Sequence, residues 1–338
     1  MRTLLAATVA AVLLTSSAPA LATSSSPSPQ PRDAARGLVV TGYAMGGLKP
    51  RVIRRDAHAL DIVGVSGIAV KLDGSGVTRT YGQLRDLLAQ AHRHGLRAEL
   101  LLSNWSPRTG DFDSELVTRL LSSAEHRRAA VRRLVHIARS EGWDGITVDL
   151  EAMHAHDRDG LVAFLRLLRD RLPSGVVLSM DIGGRTSLAS YRSSGFSLRT
   201  LAGIVDRIAL MTYDQHGATW SGPGPIGALP WQRKAISTLG RRVPLSMVDL
   251  GVAGYGYTWP TTGSGHSVSP RRARALAEAD GAEQVWHPRA GEWSTTLDDG
   301  TVIWWSDGRS YRKRLALARD LGVHGVALWV LGSADPLP

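Results

Sequence analysis

Short apolar runs alternate with longer amphipathic ones along most of this 338-residue chain, and that order leaves few architectures open. Successive β-α units of this kind imply a parallel sheet covered by helices. The runs that read as strands are Leu38–Tyr43, Gly67–Leu72, Arg97–Leu102, Gly145–Glu151, Val176–Asp181, Arg207–Tyr213, Val243–Val248 and Val323–Val330. Between them, Tyr81–His94, Ala124–Ser140, Gly160–Arg171 and Ser310–Leu321 carry apolar residues three and four apart, the helical period. The expectation is an α/β fold, a closed (β/α)8 TIM barrel. One connection, from about Trp259 to Trp304, is too long for a plain loop and has its own helical pattern over Pro270–Asp280. It reads as a small inserted subdomain, about residues 260–304, between strand 7 and the last helix.

The amino terminus has a different character. Residues 1–22, MRTLLAATVAAVLLTSSAPALA, set Arg2 before an apolar run and end on Ala20-Leu21-Ala22, a small-residue cleavage site of the secretory kind. The run is too short to span a bilayer, and the TSSSPSPQPRDAAR that follows is too rich in Ser and Pro to bury a core. Residues 1–22 are expected to be a signal peptide, 23–36 a flexible leader and 37–338 the barrel. The expected location is extracellular, free or associated with the cell wall, as a monomer with no stable membrane insertion after cleavage.

The chain has no cysteine, which excludes disulfides, thiolate metal sites and a Cys nucleophile. A net charge of +10 favours anionic partners such as wall polymers. The basic residues are nonetheless scattered, with no Lys/Arg tract interleaved with aromatics, so nucleic acid is not an expected partner.

In such barrels the site lies at the carboxyl ends of the strands. The informative segment there is GWDGITVDLEAM, Gly142–Met153. On a strand, alternate residues share a face, so Thr147, Asp149 and Glu151 point one way and Ile146, Val148 and Leu150 the other. The apolar set suits the helix-covered side, leaving two carboxylates facing the barrel axis. Such neighbours repel when both ionise, which keeps a proton on one of them and suits acid–base work. By spacing alone the pair also fits a solvated acidic edge or half of a cation site. His154 and His156 have metal-like spacing but no matched ligand set, so neither a metal nor another cofactor is expected. The Gly-rich runs Gly222–Gly227 and Gly251–Gly256 lack the Lys and Ser/Thr of a phosphate loop and suit tight turns.

Asp144-Gly145-Ile146-Thr147-Val148-Asp149-Leu150-Glu151 resembles the D-G-x-[DN]-x-D-x-E signature of glycoside hydrolase family 18. Further matches follow in order: Met211-Thr212-Tyr213-Asp214 resembles the family's M-x-Y-D, and Ser179–Gly184 falls where its fifth strand ends. Leu245–Trp259 resembles the segment around its seventh strand, and Trp329 falls at its terminal-strand tryptophan. The likeness spans roughly residues 38–335, and MTYDQHG with GVALWVLGSADP is most similar to the spore-cortex branch.

The resemblance implies substrate-assisted, retaining hydrolysis of a polysaccharide containing β-linked N-acetylglucosamine, with peptidoglycan favoured and chitin oligomers next. Glu151 would be the acid, Asp149 would stabilise the acetamido nitrogen, and Tyr213 would hold the acetamido oxygen. Trp329 would floor the subsite, Asp214 and Met211 would line it, and Tyr43 would wall it. Thr147 is a departure, standing where the family has Asp or Asn. A hydroxyl there implies an Asp149 that ionises more readily, with slower turnover or a shifted pH optimum. Trp105, Trp220, Trp231, Trp259, Trp286 and Trp293 are divided between sugar platforms and packing. Two rival classes suit the same barrel, a lectin that has lost activity and a metal-dependent hydrolase. Intact Glu151, Asp149 and Tyr213 speak against the lectin, and chelator sensitivity decides the metal case.

Overall fold

The computed structural model describes residues 37–338, so the expected signal peptide, 1–22, and leader, 23–36, lie outside the described residues. Eight parallel strands close a barrel: β1 Val39–Met45, β2 Ile62–Ala69, β3 Arg97–Ser103, β4 Gly145–Asp149, β5 Val177–Gly183, β6 Arg207–Met211, β7 Val248–Ala253 and β8 Gly325–Trp329. Each pairs with its sequence neighbours, and β8 closes onto β1 through Val39 opposite Gly325.

The helices follow from local chemistry. Ala124–Glu141 starts where the Ser123 hydroxyl accepts the His126 N–H and stops at Gly142, whose φ of 81° suits a residue without Cβ. Ala130, Val131, Leu134 and Ile137 form its buried stripe. No helix among the described residues is long and apolar enough to cross a membrane.

Two strands differ from the sequence expectation. β2 starts before the expected Gly67–Leu72 and ends at Ala69, with Gly64 and Gly67 inside it as contact points. A Cβ on Gly64 would stand 2.5 Å from the Tyr43 ring, and one on Gly67 2.3 Å from Leu84. β7 begins only at Val248, not Val243. Pro244 has no N–H for the ladder, and Leu245–Met247 make a 3-10 turn before the strand starts.

The lower barrel interior is polar. Arg207 contacts Glu99 Oε2 at 2.5 Å and Asp249 Oδ2 at 2.9 Å, all three side chains being nearly inaccessible to solvent. Glu99 also accepts from Ser179 Oγ, and Asp249 faces His324 Nδ1 at 2.7 Å. Burial pushes the Glu99 carboxyl up, but Arg207, Arg97 and the Ser179 hydroxyl together hold it below its ordinary value.

Between β7 and the last helix, Gly308–Leu321, the chain forms an antiparallel five-stranded sheet. Its order is Ser267–Val268, Gly256–Trp259, Val302–Trp305, Glu292–Thr296, Val285–His287. Helix Pro270–Asp280 buries Ala273 on the same small core as Ile303 and Trp305. A buried Glu292–Arg314 pair at 2.7 Å ties this sheet to the last helix. The same carboxylate accepts the N–H groups of Ile226 and Gly227, fixing the loop after β6. The Gly222–Gly227 run is thus a pinned turn.

Candidate active site

At β4, Ile146 and Val148 are wholly buried against the helices, while Thr147 and Asp149 turn inward. Glu151 lies just past the strand. Asn104, at the end of β3, clamps it: Asn104 Nδ2 donates to the Glu151 carbonyl at 3.0 Å, and the Glu151 N–H donates to Asn104 Oδ1 at 2.8 Å. Ala152 follows at φ 55°, so the chain turns sharply away and leaves the Glu151 side chain at the barrel mouth. Sequence reading passed over Asn104, although an amide directly after a barrel strand sits where functional residues gather. Asn104→Ala is expected to lower kcat by about 10–100-fold with KM nearly constant, through misplacement of Glu151 rather than lost binding. Steady-state kinetics check this, and an unchanged kcat would assign the positioning of Glu151 to other groups.

The electrostatics separate the carboxyls. Glu151 is pushed up to about 7 by burial first and by the Asp214 charge second, against a lowering by Arg185. An acid with that value still carries its proton near neutral pH. Asp149, 5 % exposed, is held well above its ordinary range by burial, then by Glu151 and Asp181. A dry site with like charges beside it favours the protonated form of Asp149. Thr147 is buried as well. Its hydroxyl lies one layer down, donating to Glu99 Oε2 at 3.2 Å and standing 2.8 Å from Ser179 Oγ.

Tyr213, one residue beyond Thr212 at the end of β6, lies among the acids. Burial raises its phenol well above the ordinary value, and Asp181, Asp149, Asp214 and Glu151 add to this. Asp214, at φ 57°, is turned so that its Oδ1 accepts the hydroxyls of Tyr255 at 2.5 Å and Tyr257 at 2.9 Å. Met211, at the end of β6, is half-buried. Trp329 ends β8 as a half-buried ring packed on Tyr43, with centroids 5.5 Å apart, and on the cluster holding Tyr213 and Tyr255. Tyr43 itself is 2 % exposed and spends its hydroxyl on Asp181 Oδ1 at 2.7 Å. Its ring fills the space over Gly64 and packs against Trp329.

Of the remaining tryptophans, Trp105 and Trp220 are exposed, whereas Trp259 is buried and donates to the Gly217 and Ser221 carbonyls. Trp286 and Trp293 pack together, with the Arg309 guanidinium 4.0 Å over the Trp286 ring. His154 and His156 gather no third ligand. Among the described residues no group of three His, Cys, Asp or Glu is placed to hold a metal ion.

A protonated acid, a second carboxyl two residues away and a tyrosine among them, above an aromatic floor, make a site for acid-assisted cleavage of a sugar bond. Residues 55–334 match the sequence model for glycosyl hydrolases family 18. The chain belongs to that family. As a family 18 member it is a glycosidase. The cortical fragment-lytic enzyme of Bacillus subtilis (strain 168) is 27% identical over 241 residues, 67% of this chain and 55% of the relative. A class V chitinase of Arabidopsis thaliana is 25% identical over 259 residues, 67% of this chain and 68% of the relative. The chain thus spans just over half the length of the cortical enzyme it matches. In fold, it superposes on a chitinase from Chromobacterium violaceum ATCC 12472 with a TM-score of 0.79 at 23% identity, covering 88% of this chain and 95% of that one.

Proposed function

We propose that this family 18 glycosidase is exported and cleaves β-linked N-acetylglucosamine glycans with retention, the sugar's own acetamido group serving as nucleophile, and that peptidoglycan is its polymer. The observation that carries the reading is Glu151 pushed up to about 7 beside a buried Asp149 and Tyr213. Glu151 donates its proton to the glycosidic oxygen while the acetamido oxygen attacks the anomeric carbon. The leaving sugar departs and an oxazolinium ion forms. Asp149 accepts a hydrogen bond from the acetamido N–H and offsets the growing positive charge, and Tyr213 holds the acetamido oxygen in line. The Glu151 carboxylate then takes a proton from the water that opens the ring, which restores both acetamide and acid. Trp329 is the floor, with Met211 and Asp214 lining the same subsite.

Peptidoglycan is favoured by three observations. The chain is basic overall, an exposed Arg185 stands near enough to Glu151 to lower its value, and the relatives include a cortical fragment-lytic enzyme. A cationic cleft wall suits a polymer that carries carboxylates. Incubation with peptidoglycan glycan strands and with chitin oligomers, read by mass spectrometry beside a Glu151→Gln control, tests the assignment. Glu151-dependent release from peptidoglycan is the expected result. Cleavage of chitin alone would reassign the polymer, and binding without cleavage of either would favour a lectin.

A further inference from the structure

The family signature places Asp or Asn where this chain has Thr147, and the Thr147 hydroxyl is engaged with Glu99 and Ser179 below the site. Asp149 is left with a buried Oδ1 that has no hydrogen-bond partner in the protein. An acceptor sealed from solvent in that state calls for a proton beside it or a donor from substrate. The adjacent strand carries the first. β4 and β5 pair Thr147 with Ser179 and Val148 with Met180, so the register brings the next inward residue of β5, Asp181, alongside Asp149 at the strand spacing of about 4.8 Å. Asp181 is 3 % exposed. Its Oδ1 is fixed by the Tyr43 hydroxyl, which reaches across the barrel from β1, and its second oxygen is not held by Tyr43.

We propose that Asp181 is a positioning residue that replaces, from the neighbouring strand, the side chain missing at position 147: it shares one proton with Asp149 and takes it up when substrate arrives. The inference rests on the substrate-assisted reading above. As the acetamido N–H docks, the proton passes from Asp149 to Asp181, and Asp149 is left ionised against the nitrogen on which positive charge develops. It returns when the oxazolinium ion opens, so no proton is gained or lost over the cycle.

The groups facing Asp181 are Tyr43 from β1, Glu99 from β3, Asp149 from β4 and Glu151 just past it, Arg207 from β6 and Tyr213 beyond it. Burial pushes Asp181 up to about 8, with Tyr43 and Arg207 opposing and Glu151 and Glu99 adding to the rise. Two buried carboxyls side by side do not ionise together, so the pair keeps a proton through neutral pH. Tyr43 acquires a reason for its burial, since it orients Asp181.

The test compares kcat and KM across pH for the wild type, Asp181→Asn, Asp181→Ala and Asp181→Ala/Thr147→Asp on whichever glycan the wild type cuts. Asp181→Asn is expected to lower kcat by about 10–100-fold and to leave KM within about threefold. Thr147→Asp, which returns a carboxylate to the usual position, should recover about tenfold of the Asp181→Ala loss. A wild-type kcat in Asp181→Asn, or no recovery in the double variant, overturns the proposal. Full activity of Glu151→Gln would instead overturn the substrate-assisted reading, whatever Asp181 does. Independently of turnover, carboxyl NMR should show the Asp149 titration midpoint falling in Asp181→Asn, since a like charge is removed. An unmoved midpoint contradicts proton sharing.

Discussion

Glu151→Gln lowers kcat by about 10²–10⁴-fold on the glycan that the wild type cuts, with a much smaller change in KM. The amide occupies the same space and leaves the backbone clamp of Asn104 intact, because that clamp holds the Glu151 peptide groups and not the carboxyl. Only the proton is removed. The same group sets the pH dependence. Glu151 holds its proton up to about pH 7, so the acid form is present below that value and is lost as pH rises through it. The wild type should therefore show an alkaline limb near neutrality, and the residual rate of the Gln variant should lack it. Retention of full activity by Glu151→Gln, or a limb that survives in it, would move the acid to another residue. Steady-state rates across pH, with folding checked by circular dichroism, provide the measurement.

Arg207→Met should cost about 3–5 kcal/mol of folding free energy, read by denaturant unfolding. Arg207 lies in the lower barrel with Glu99 on one side and Asp249 on the other, and neither acid has access to water. Removing the guanidinium leaves two buried carboxylates with only His324 beside Asp249 and the Ser179 and Thr147 hydroxyls beside Glu99. Replacing Glu99 by Gln as well should return part of the loss, because the two changes share one interaction. The sign with pH is also fixed. Glu99 is held below its ordinary value in the fold, so its contribution is present above the unfolded carboxylate range and declines as pH falls through the lowered folded value. Wild-type and Arg207→Met stabilities should thus converge towards acid pH. A loss under about 1 kcal/mol at neutral pH would mean that the network contributes specificity of packing rather than stability.

Much of this arrangement is legible in the chain. The two-residue period of GITVDLE separates Ile146 and Val148 from Thr147 and Asp149, and the structure seats the first pair under helices and the second inside the barrel. Helix Pro270–Asp280 has the bounds its sequence pattern suggests, with Ser269 capping one end and Gly281 the other. What a period cannot convey is which residues from distant strands become neighbours. Asp181 and Asn104 matter only because β5 pairs with β4 and because the end of β3 reaches Glu151. Depth is hidden for the same reason. Tyr43 faces the axis but is buried with its hydroxyl on Asp181, and Thr147 faces it with its hydroxyl on Glu99. β2 takes in Gly64 and Gly67 because each admits a neighbouring side chain, Tyr43 and Leu84, which the letter alone does not convey.

The central claim is that the substrate's acetamido group performs the displacement at this site. Proton NMR of the product anomer formed first, run on the cleaved glycan beside its de-N-acetylated counterpart, tests it most directly. The expected result is the β anomer at early times and loss of cleavage once the acetyl groups are removed. An initial α anomer, or equal cleavage of the de-N-acetylated glycan, would contradict the assignment of Asp149 and Tyr213 to the acetamido group.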